Sequence, residues 1–344
     1  MAQGVGGCAE CSKAFDYVWD VVWSRNPLDH RNLLVACRRV RDLVAQQGYD
    51  LVHVHTPVAA FVTRLAVRGL RLTGRPRVIY TAHGFHFYRG GPQPRGAVLR
   101  ALEKLAGRWT DHLVVINRED QQAAYRLLPR ERVWHMPGVG IDLERYSPAA
   151  VPESEVARVR QQLRLGPEHR LLLMVAEFNP GKRHRDAVAA LARQGQAEAR
   201  LAFAGTGPLM EETRQLAMAL GVADRVYFLG FRPDIPSLVR ASVAVVLPSE
   251  REGLPRSIME SLSLGVPVIG TRIRGIVDLL EGGGGLLVPV GDVVALAEAM
   301  TRVLDKPHEA REMGRRGREC MADFDLRKVI AMHEVLYDAA LRSA

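Results

Sequence analysis

Lysine is scarce in this 344-residue chain: of its 47 basic residues, only Lys13, Lys104, Lys182, Lys306 and Lys328 are not arginine. The formal charge of +9 is spread over the whole length, with no Lys/Arg run interleaved with aromatics. A nucleic-acid footprint is therefore not expected. A basic surface also suits a phosphorylated ligand or anionic lipid head groups, in that order of expectation. Cysteine is equally sparse. Four in a chain of this length make no disulfide framework. Cys8 and Cys11 have half a zinc site's spacing, but no second Cys/His pair follows nearby to close a tetrahedral site. No stretch approaches the roughly 18 uninterrupted apolar residues of a membrane span. The N-terminus lacks the basic start and apolar centre of a secretory signal. The expected compartment is thus the cytoplasm, with the inner face of a membrane as the surface the charge would favour. Two nucleotide fingerprints are missing as well. Gly205-Thr206-Gly207 meets Met210 where G-x-G-x-x-G needs a third glycine, and there is no P-loop.

What is present is ordinary globular material, with 47% hydrophobic and 25% charged residues, in a length that favours two domains. Helix and strand patterns alternate from about residue 31. Residues 31–48 read as an amphipathic helix ended by Gly48. Strands follow at 51–55, 77–81, 112–116 and 133–136, with helices at 57–70, 97–108 and from Asn117. Residues 143–168 lose strand character and carry Ser147-Pro148, Pro152 and Gly166, which suggests a linker. A second series then places strands at 171–176, 200–204, 225–229, 243–247 and 266–270. Its helices lie at 184–193, 208–220, 235–240, 255–264, 292–304 and 308–321, and a last helix spans about 325–342. Such alternation implies parallel sheets covered by helices on both faces, in two doubly wound domains facing each other across a cleft. The expected division is 1–20 as an atypical N-terminal segment and 21–150 as a first domain, on which the helix about 325–344 packs back. The linker region at 143–168 and a second domain over 165–324 complete it.

Several residues could carry chemistry, each with a bland counterpart. Glu252 and Glu260 stand eight positions apart in Pro248–Glu260, one in a turn after an apolar run and one inside a helix. A strand, an acidic turn and an acidic helix can grip a polyhydroxylated ligand at the C-terminal edge of a parallel sheet. A capped surface helix with an ordinary glutamate explains the same spacing equally well. Lys182 follows the first strand of the second domain, where a mobile ammonium suits a diphosphate; a solvated turn lysine is the alternative. Gly205, after strand 200–204, could let backbone amides approach a phosphate, although a tight turn is the plainer reading. His83 ends a strand among aromatics, and His53 and His55 lie on one face of a neighbouring strand with no acid between them.

Taken together, the stretches DLVHVHTPVAAF (50–61), RVIYTAHGFHFYRG (77–90), DHLVVINRED (111–120), MPGVGIDLERY (136–146), VAEFNPGKRH (175–184), AFAGTGPL (202–209), FLGFRPDIP (228–236), PSEREGLPRSIMESLSLGVPVIGTRIRGIVDLL (248–280) and GLLVPVGD (285–292) resemble one family. It is the two-domain GT-B glycosyltransferases of group 1, family four, and within it the capsule and exopolysaccharide branch. The resemblance runs from about residue 20 to 340. It implies two Rossmann-like domains, and retaining transfer of a sugar from a nucleotide-diphosphate sugar, a UDP-sugar foremost, with no metal or other cofactor. The implied partners are that nucleotide sugar, a lipid-linked or glycan acceptor in surface polysaccharide synthesis, and an anionic membrane surface, but no nucleic acid.

Residue by residue, Glu260 matches the acid on the donor's ribose hydroxyls. Glu252, with Gly253, Leu254 and Pro255, matches the element touching the donor sugar. Lys182 matches the basic residue on the diphosphate, and Arg232 lies in the loop bordering the nucleobase. His83 matches the first-domain histidine near the reacting sugar, so His83 and Glu252 are the implied catalytic pair. Two departures stand out. Many relatives carry Arg five residues before the lysine, where this chain has Glu177. The family's first strand and Gly-rich loop also find no counterpart before residue 20, which makes the first domain incomplete at its N-terminus. A truncated relative that binds nucleotide-sugar without transfer is accordingly the alternative. A nicotinamide-dependent oxidoreductase shares the architecture but not the fingerprint.

Overall fold

The computed structural model describes residues 13–24, 29–88, 91 and 93–342. The expectations for Cys8, Cys11 and most of the segment 1–20 lie outside the described residues. The chain divides into two compact units, Met1–Met136 with Ala331–Ala344, and Pro137–Ile330.

The first unit is built on four parallel strands in spatial order β1 (Leu51–Val54), β2 (Arg77–Ala82), β3 (His112–Val115) and β4 (Val133–His135). Parallel pairing demands long crossovers, and helices supply them: Pro57–Val67 after β1, Gln93–Gly107 after β2 and Arg118–Ala124 after β3. The helix expected over 31–48 opens with a π turn, Asn32–Ala36, continues as Cys37–Gln47, and stops at Gly48 with φ +65°. Only glycine takes that left-handed geometry without strain. The last helix, Leu326–Arg342, returns Leu336 and Ala340 to this unit, where they pack with Ile79, Val114 and Met136.

The second unit holds six parallel strands in the order β10-β9-β8-β5-β6-β7. They are β5 (Arg170–Val175), β6 (Ala199–Ala204), β7 (Val226–Gly230), β8 (Ala244–Leu247), β9 (Val268–Thr271) and β10 (Gly285–Val288). Central strands covered on both faces need unbroken apolar runs. Leu171 to Met174 and Val245 to Leu247 meet that demand and are buried to 1% exposure or less. Three elements differ from the expected pattern. Strand β10 and helix Ile276–Leu280 were not foreseen, and the stretch 143–168 is no linker. The chain crosses between the units at Met136/Pro137, and 143–168 sits in the second unit with a helix at Glu153–Gln162.

One buried charge anchors the first unit. Arg64, 1% exposed, places Nη2 2.9 Å from Glu103 Oε2, donates from Nε to the Ala60 carbonyl at 3.1 Å, and lies 4.2 Å from the centre of the Tyr80 ring. Removing one partner of such a pair strands the other charge away from water, a loss of about 3–5 kcal/mol. Glu103→Ala should therefore destabilise the first unit by roughly that amount in chemical denaturation. An unchanged midpoint would show that Arg64 reaches water without Glu103.

Candidate functional site

In the second sheet the strand sequence runs outward in both directions from one place. From β5 the chain winds through β6 to β7, and from β8 it winds the other way through β9 to β10. In open α/β sheets, ligands bind at such a switch point, outside the carboxyl ends of the strands. The loops after β5 and β8 meet there. The Lys182 ammonium lies 2.6 Å from Glu252 Oε1, although 70 residues separate them. The Glu250 N–H donates to the Gly181 carbonyl at 2.8 Å, which joins the two loops by backbone as well.

Local chemistry shapes each loop. Asn179 opens the β5 turn by accepting the Lys182 N–H on Oδ1 at 3.2 Å, while its Nδ2 donates to Glu177 at 3.1 Å. Glu177, which stands where many relatives have arginine, is thus part of the turn's own bonding. Arg183 takes φ +56°, a left-handed conformation held by ion pairs to Asp186 at 2.5 Å and Glu250 at 2.6 Å. After β8, Thr271 donates its hydroxyl to the Ser249 carbonyl at 2.6 Å. Gly275 approaches Gly253 so closely that an added Cβ would sit 1.9 Å from the Gly253 oxygen. Leu254 packs over Gly138 in the same way, with a Cβ there 2.8 Å from Leu254 Cδ2.

Glu260 lies on the helix Arg256–Ser263, which starts after Pro255 with no side chain capping its N-terminus. The residue is 8% exposed, and its carboxylate is hydrogen-bonded by Tyr146 and 3.4 Å from Arg256 Nη2. Burial outweighs these partners and raises the Glu260 carboxyl above its ordinary value. Two further predicted residues bond to partners other than the Lys182–Glu252 pair. Arg232 forms a two-pronged bond with Asp234, at 2.7 Å through Nε and 2.6 Å through Nη2, and reaches Gln162 at 3.2 Å. In the Gly205-Thr206-Gly207 turn, the Gly205 N–H donates to the Gly230 carbonyl at 2.8 Å. Glycine is required here because a Cβ would lie 2.0 Å from the Ala176 oxygen.

His83 follows β2 in the first unit. Its loop is fixed by Asp120, which accepts the Phe85 N–H at 3.1 Å and Asn117 Nδ2 at 2.8 Å. The His83 Nε2 is 3.1 Å from His55 Nδ1, so one of these nitrogens donates and the other accepts. The neighbouring His53 lies tilted against His55 with ring centres 4.3 Å apart, and bonds Thr81 Oγ1 at 2.7 Å and the Tyr337 hydroxyl at 2.9 Å. Loss of hydration, reinforced by the other imidazoles, holds His53 down to about 3 and His55 to about 4, and burial lowers His83 too. All three rings are neutral at pH 7. Among the described residues, no three His, Cys, Asp or Glu side chains are placed to hold a metal ion.

Sequence reasoning passed over His55 as a partner for His83, Tyr146 as a partner for Glu260, and Phe231, whose ring is 82% exposed beside Arg232. The period-two spacing of His53 and His55 beside the His83 strand was the one available signal for the first.

The histidine cluster gives a pH test. A depressed folded pKa means the unfolded chain binds protons more tightly, so this part of the stability is complete above the ordinary histidine value of about 6.5 and falls as pH drops below it. Ring-carbon NMR should show His53 and His55 neutral down to about 3 and about 4. His53→Phe should flatten the acid loss of first-unit stability. Ordinary titration of both rings near 6.5 would contradict the cluster.

The chain resembles known proteins over most of its length. The family model described as Glycosyltransferase Family 4 matches residues 10–145, and that described as Glycosyl transferases group 1 matches 155–320. EpsD of Bacillus subtilis (strain 168), named as a glycosyltransferase, is 33% identical over 319 residues, 92% of this chain and 83% of that protein. The UDP-Gal:alpha-D-GlcNAc-diphosphoundecaprenol alpha-1,3-galactosyltransferase of Escherichia coli is 28% identical over 271 residues, 76% of this chain and 68% of that one. HepE of Anabaena, solved with UDP and glucose, superposes with a TM-score of 0.77 at 22% identity, covering 91% of this chain and 84% of its own. That likeness speaks for the GT-B fold alone. With two parallel α/β units and a relative one-third identical over nearly its whole length, this chain belongs to the group 1, family 4 glycosyltransferases.

Proposed function

We propose that the enzyme moves a sugar from a UDP-sugar to a lipid-linked or glycan acceptor in surface polysaccharide synthesis, with retention of configuration and without a metal ion. The observation that carries this reading is the Lys182–Glu252 contact of 2.6 Å at the strand-order reversal. An ammonium and a carboxylate held together there are a ready pair for a ligand with one anionic and one hydroxylated part. The diphosphate takes the Lys182 ammonium, and the sugar hydroxyls donate to the released Glu252 carboxylate. The backbone of Gly253, Leu254 and Pro255 flanks the same sugar. Glu260 accepts two hydrogen bonds from the ribose cis-diol.

In the transfer itself, the bond from the sugar's anomeric carbon to the diphosphate oxygen breaks and one to the acceptor oxygen forms on the same face. The acceptor's proton leaves with the diphosphate, whose growing negative charge Lys182 stabilises, helped by the helix N-terminus at Arg256. His83, neutral through its bond with His55, hydrogen-bonds the donor sugar without adding a cation. Arg232 and the exposed Phe231 border the base. Galactosyl transfer to diphosphoundecaprenol-linked GlcNAc, named for the Escherichia coli relative, supports the lipid-linked acceptor. The name of the Bacillus relative supports the exopolysaccharide role.

Calorimetric titration with UDP-glucose, UDP-galactose and UDP-GlcNAc tests the donor site. Wild type should bind one of them, and Glu260→Ala should weaken it by about tenfold to a hundredfold, the range for hydrogen bonds to a charged group. Absence of binding to all three by wild type would remove the donor assignment. Binding without product, from donor plus membrane extract read by mass spectrometry, would instead mark a protein that holds nucleotide-sugar without transfer.

The raised Glu260 carboxyl also predicts a pH profile. The ribose needs the ionised form, so affinity should climb as pH rises through the raised value. Tyr146→Phe removes a bond that favours the carboxylate and should move the climb to higher pH. An affinity that does not vary with pH on the acid side would separate Glu260 from the ribose.

A further inference from the structure

We infer that the groove along the helix Val293–Asp305, where it meets the end of the helix His184–Arg193, binds a small hydroxylated anion of the sugar-phosphate class. The anchoring end of this groove is separate from the Lys182–Glu252 site. Arg193 closes a ten-residue helix that starts just after Lys182, about 15 Å away at 1.5 Å per residue. Occupancy of the groove is measured without donor or acceptor.

The groove holds about 500 Å³, within the range of small-molecule sites. Its floor is one stripe of the helix Val293–Asp305: Val294, Ala297 and Thr301, at spacings of three and four. Its wall is Arg193 and Gln194, where the helix His184–Arg193 ends. A hydrogen-bond network fixes that wall. Gln194 Oε1 accepts the Gln196 N–H at 3.0 Å, the Gln196 side-chain amide donates to Asp305, and Arg225 donates to the Gln196 carbonyl at 3.0 Å. One group of the network is left over. Gln194 is 5% exposed, and its Nε2 has no hydrogen-bond partner. Buried amide donors nearly always have one, and an exception asks for an explanation. A ligand oxygen between Arg193 and Gln194 supplies the missing acceptor once the amide turns toward it.

The charges of the groove sort into engaged and available ones. Asp305 is taken by Gln196, and Arg302 by Glu309. Arg193 and Glu298 both line the groove, and neither has an ion-pair partner among the described residues. Lys306 is held only loosely, with Nζ 3.8 Å from a Glu309 oxygen. Two available cations beside an unused amide donor suit an oxyanion with several oxygens. Glu298 accepts hydrogen bonds only, and the Thr301 hydroxyl both donates and accepts, so they suit hydroxyl groups. Val294 and Ala297 offer an aliphatic floor to the carbon face of a sugar ring. No aromatic side chain lines the groove, so a nucleobase finds no stacking face there. Anion, hydroxyls and a compact ring without a base describe a sugar phosphate.

The experiment is calorimetric titration of the full chain with glucose 6-phosphate, glucose 1-phosphate, glucose and inorganic phosphate. One of the two sugar phosphates should bind wild type and Lys182→Ala equally well, while glucose and inorganic phosphate should each bind at least about tenfold more weakly. Arg193→Ala and Glu298→Ala should each weaken the sugar phosphate by about tenfold. Gln194→Glu keeps the Oε1 acceptor and puts an oxygen where the unpartnered donor stands, so it should abolish binding. Arg193 and Glu298 are exposed, so their variants should unfold at the wild-type midpoint and decide the matter even where Gln194→Glu does not fold. Absence of heat with both sugar phosphates overturns the proposal. So does binding that survives Arg193→Ala but is lost in Lys182→Ala, which would place the ligand at the donor site. Inorganic phosphate binding as tightly as the sugar phosphate overturns the sugar class. A chain that binds sugar phosphate in the groove but gives no UDP-sugar heat would overturn the donor reading and leave the groove standing.

Discussion

The contact between Lys182 and Glu252 is the constraint around which the second unit is arranged. It exists because β5 and β8 are neighbours in space while 70 residues apart at the contact, a consequence of the chain winding outward in both directions from that pair. Everything nearby serves to hold two loops at bonding distance: the Glu250 amide on the Gly181 carbonyl, the Thr271 hydroxyl on Ser249, and the absence of a side chain at Gly275. A partly buried ion pair is weak evidence for stability, because desolvation offsets its attraction. Its persistence here, in loops and not in a core, fits a ligand-binding arrangement better than a structural one.

Surface basicity has to be read with the same care. Much of the arginine in this chain answers internal demands. Arg64 satisfies Glu103 inside the first unit, Arg183 bridges Asp186 and Glu250 to fix a strained turn, and Arg232 is clamped on Asp234. Planar guanidinium forks suit these multi-pronged jobs, and a lysine would not replace them. The net positive charge is therefore a poor guide to partners taken as a sum. What discriminates is where cations stand without acids.

Legibility in the sequence followed the range of the interaction. Helices 184–193 and 235–240 were read to the residue, because apolar spacing and punctuation by Gly and Pro are local signals. Strand β10 was hidden because it begins at the last glycine of the run 282–285, a composition that reads as loop. It forms because Gly285 lies so close to β9 that a Cβ would meet the Val268 oxygen at 1.9 Å. The helix Glu153–Gln162 was lost to flanking prolines, and Ile276–Leu280 is too short for periodicity to register. In the site, Lys182, Glu252, Glu260 and His83 could be singled out one by one. Which of them touch was not legible, since only the strand order brings positions 182 and 252 together. The bond of the Gly205 amide to Gly230 was not legible for the complementary reason: it depends on β6 and β7 pairing.

The two units also solve opposite electrostatic problems. The second holds full charges in close pairs, Lys182 with Glu252 and Arg183 with Asp186 and Glu250. The first removes charge: His53, His55 and His83 crowd together, and each ring's proton affinity falls because its neighbours are imidazoles and water is partly excluded. Under the proposed transfer chemistry, a cation at His83 would repel positive charge developing on the departing sugar. A neutral ring whose donor and acceptor roles are set by His55 does not, and still offers a directed hydrogen bond. Under the same chemistry, the histidine crowding keeps one reactive neighbour uncharged at neutral pH while lysine and helix amides supply the positive field where the leaving group needs it.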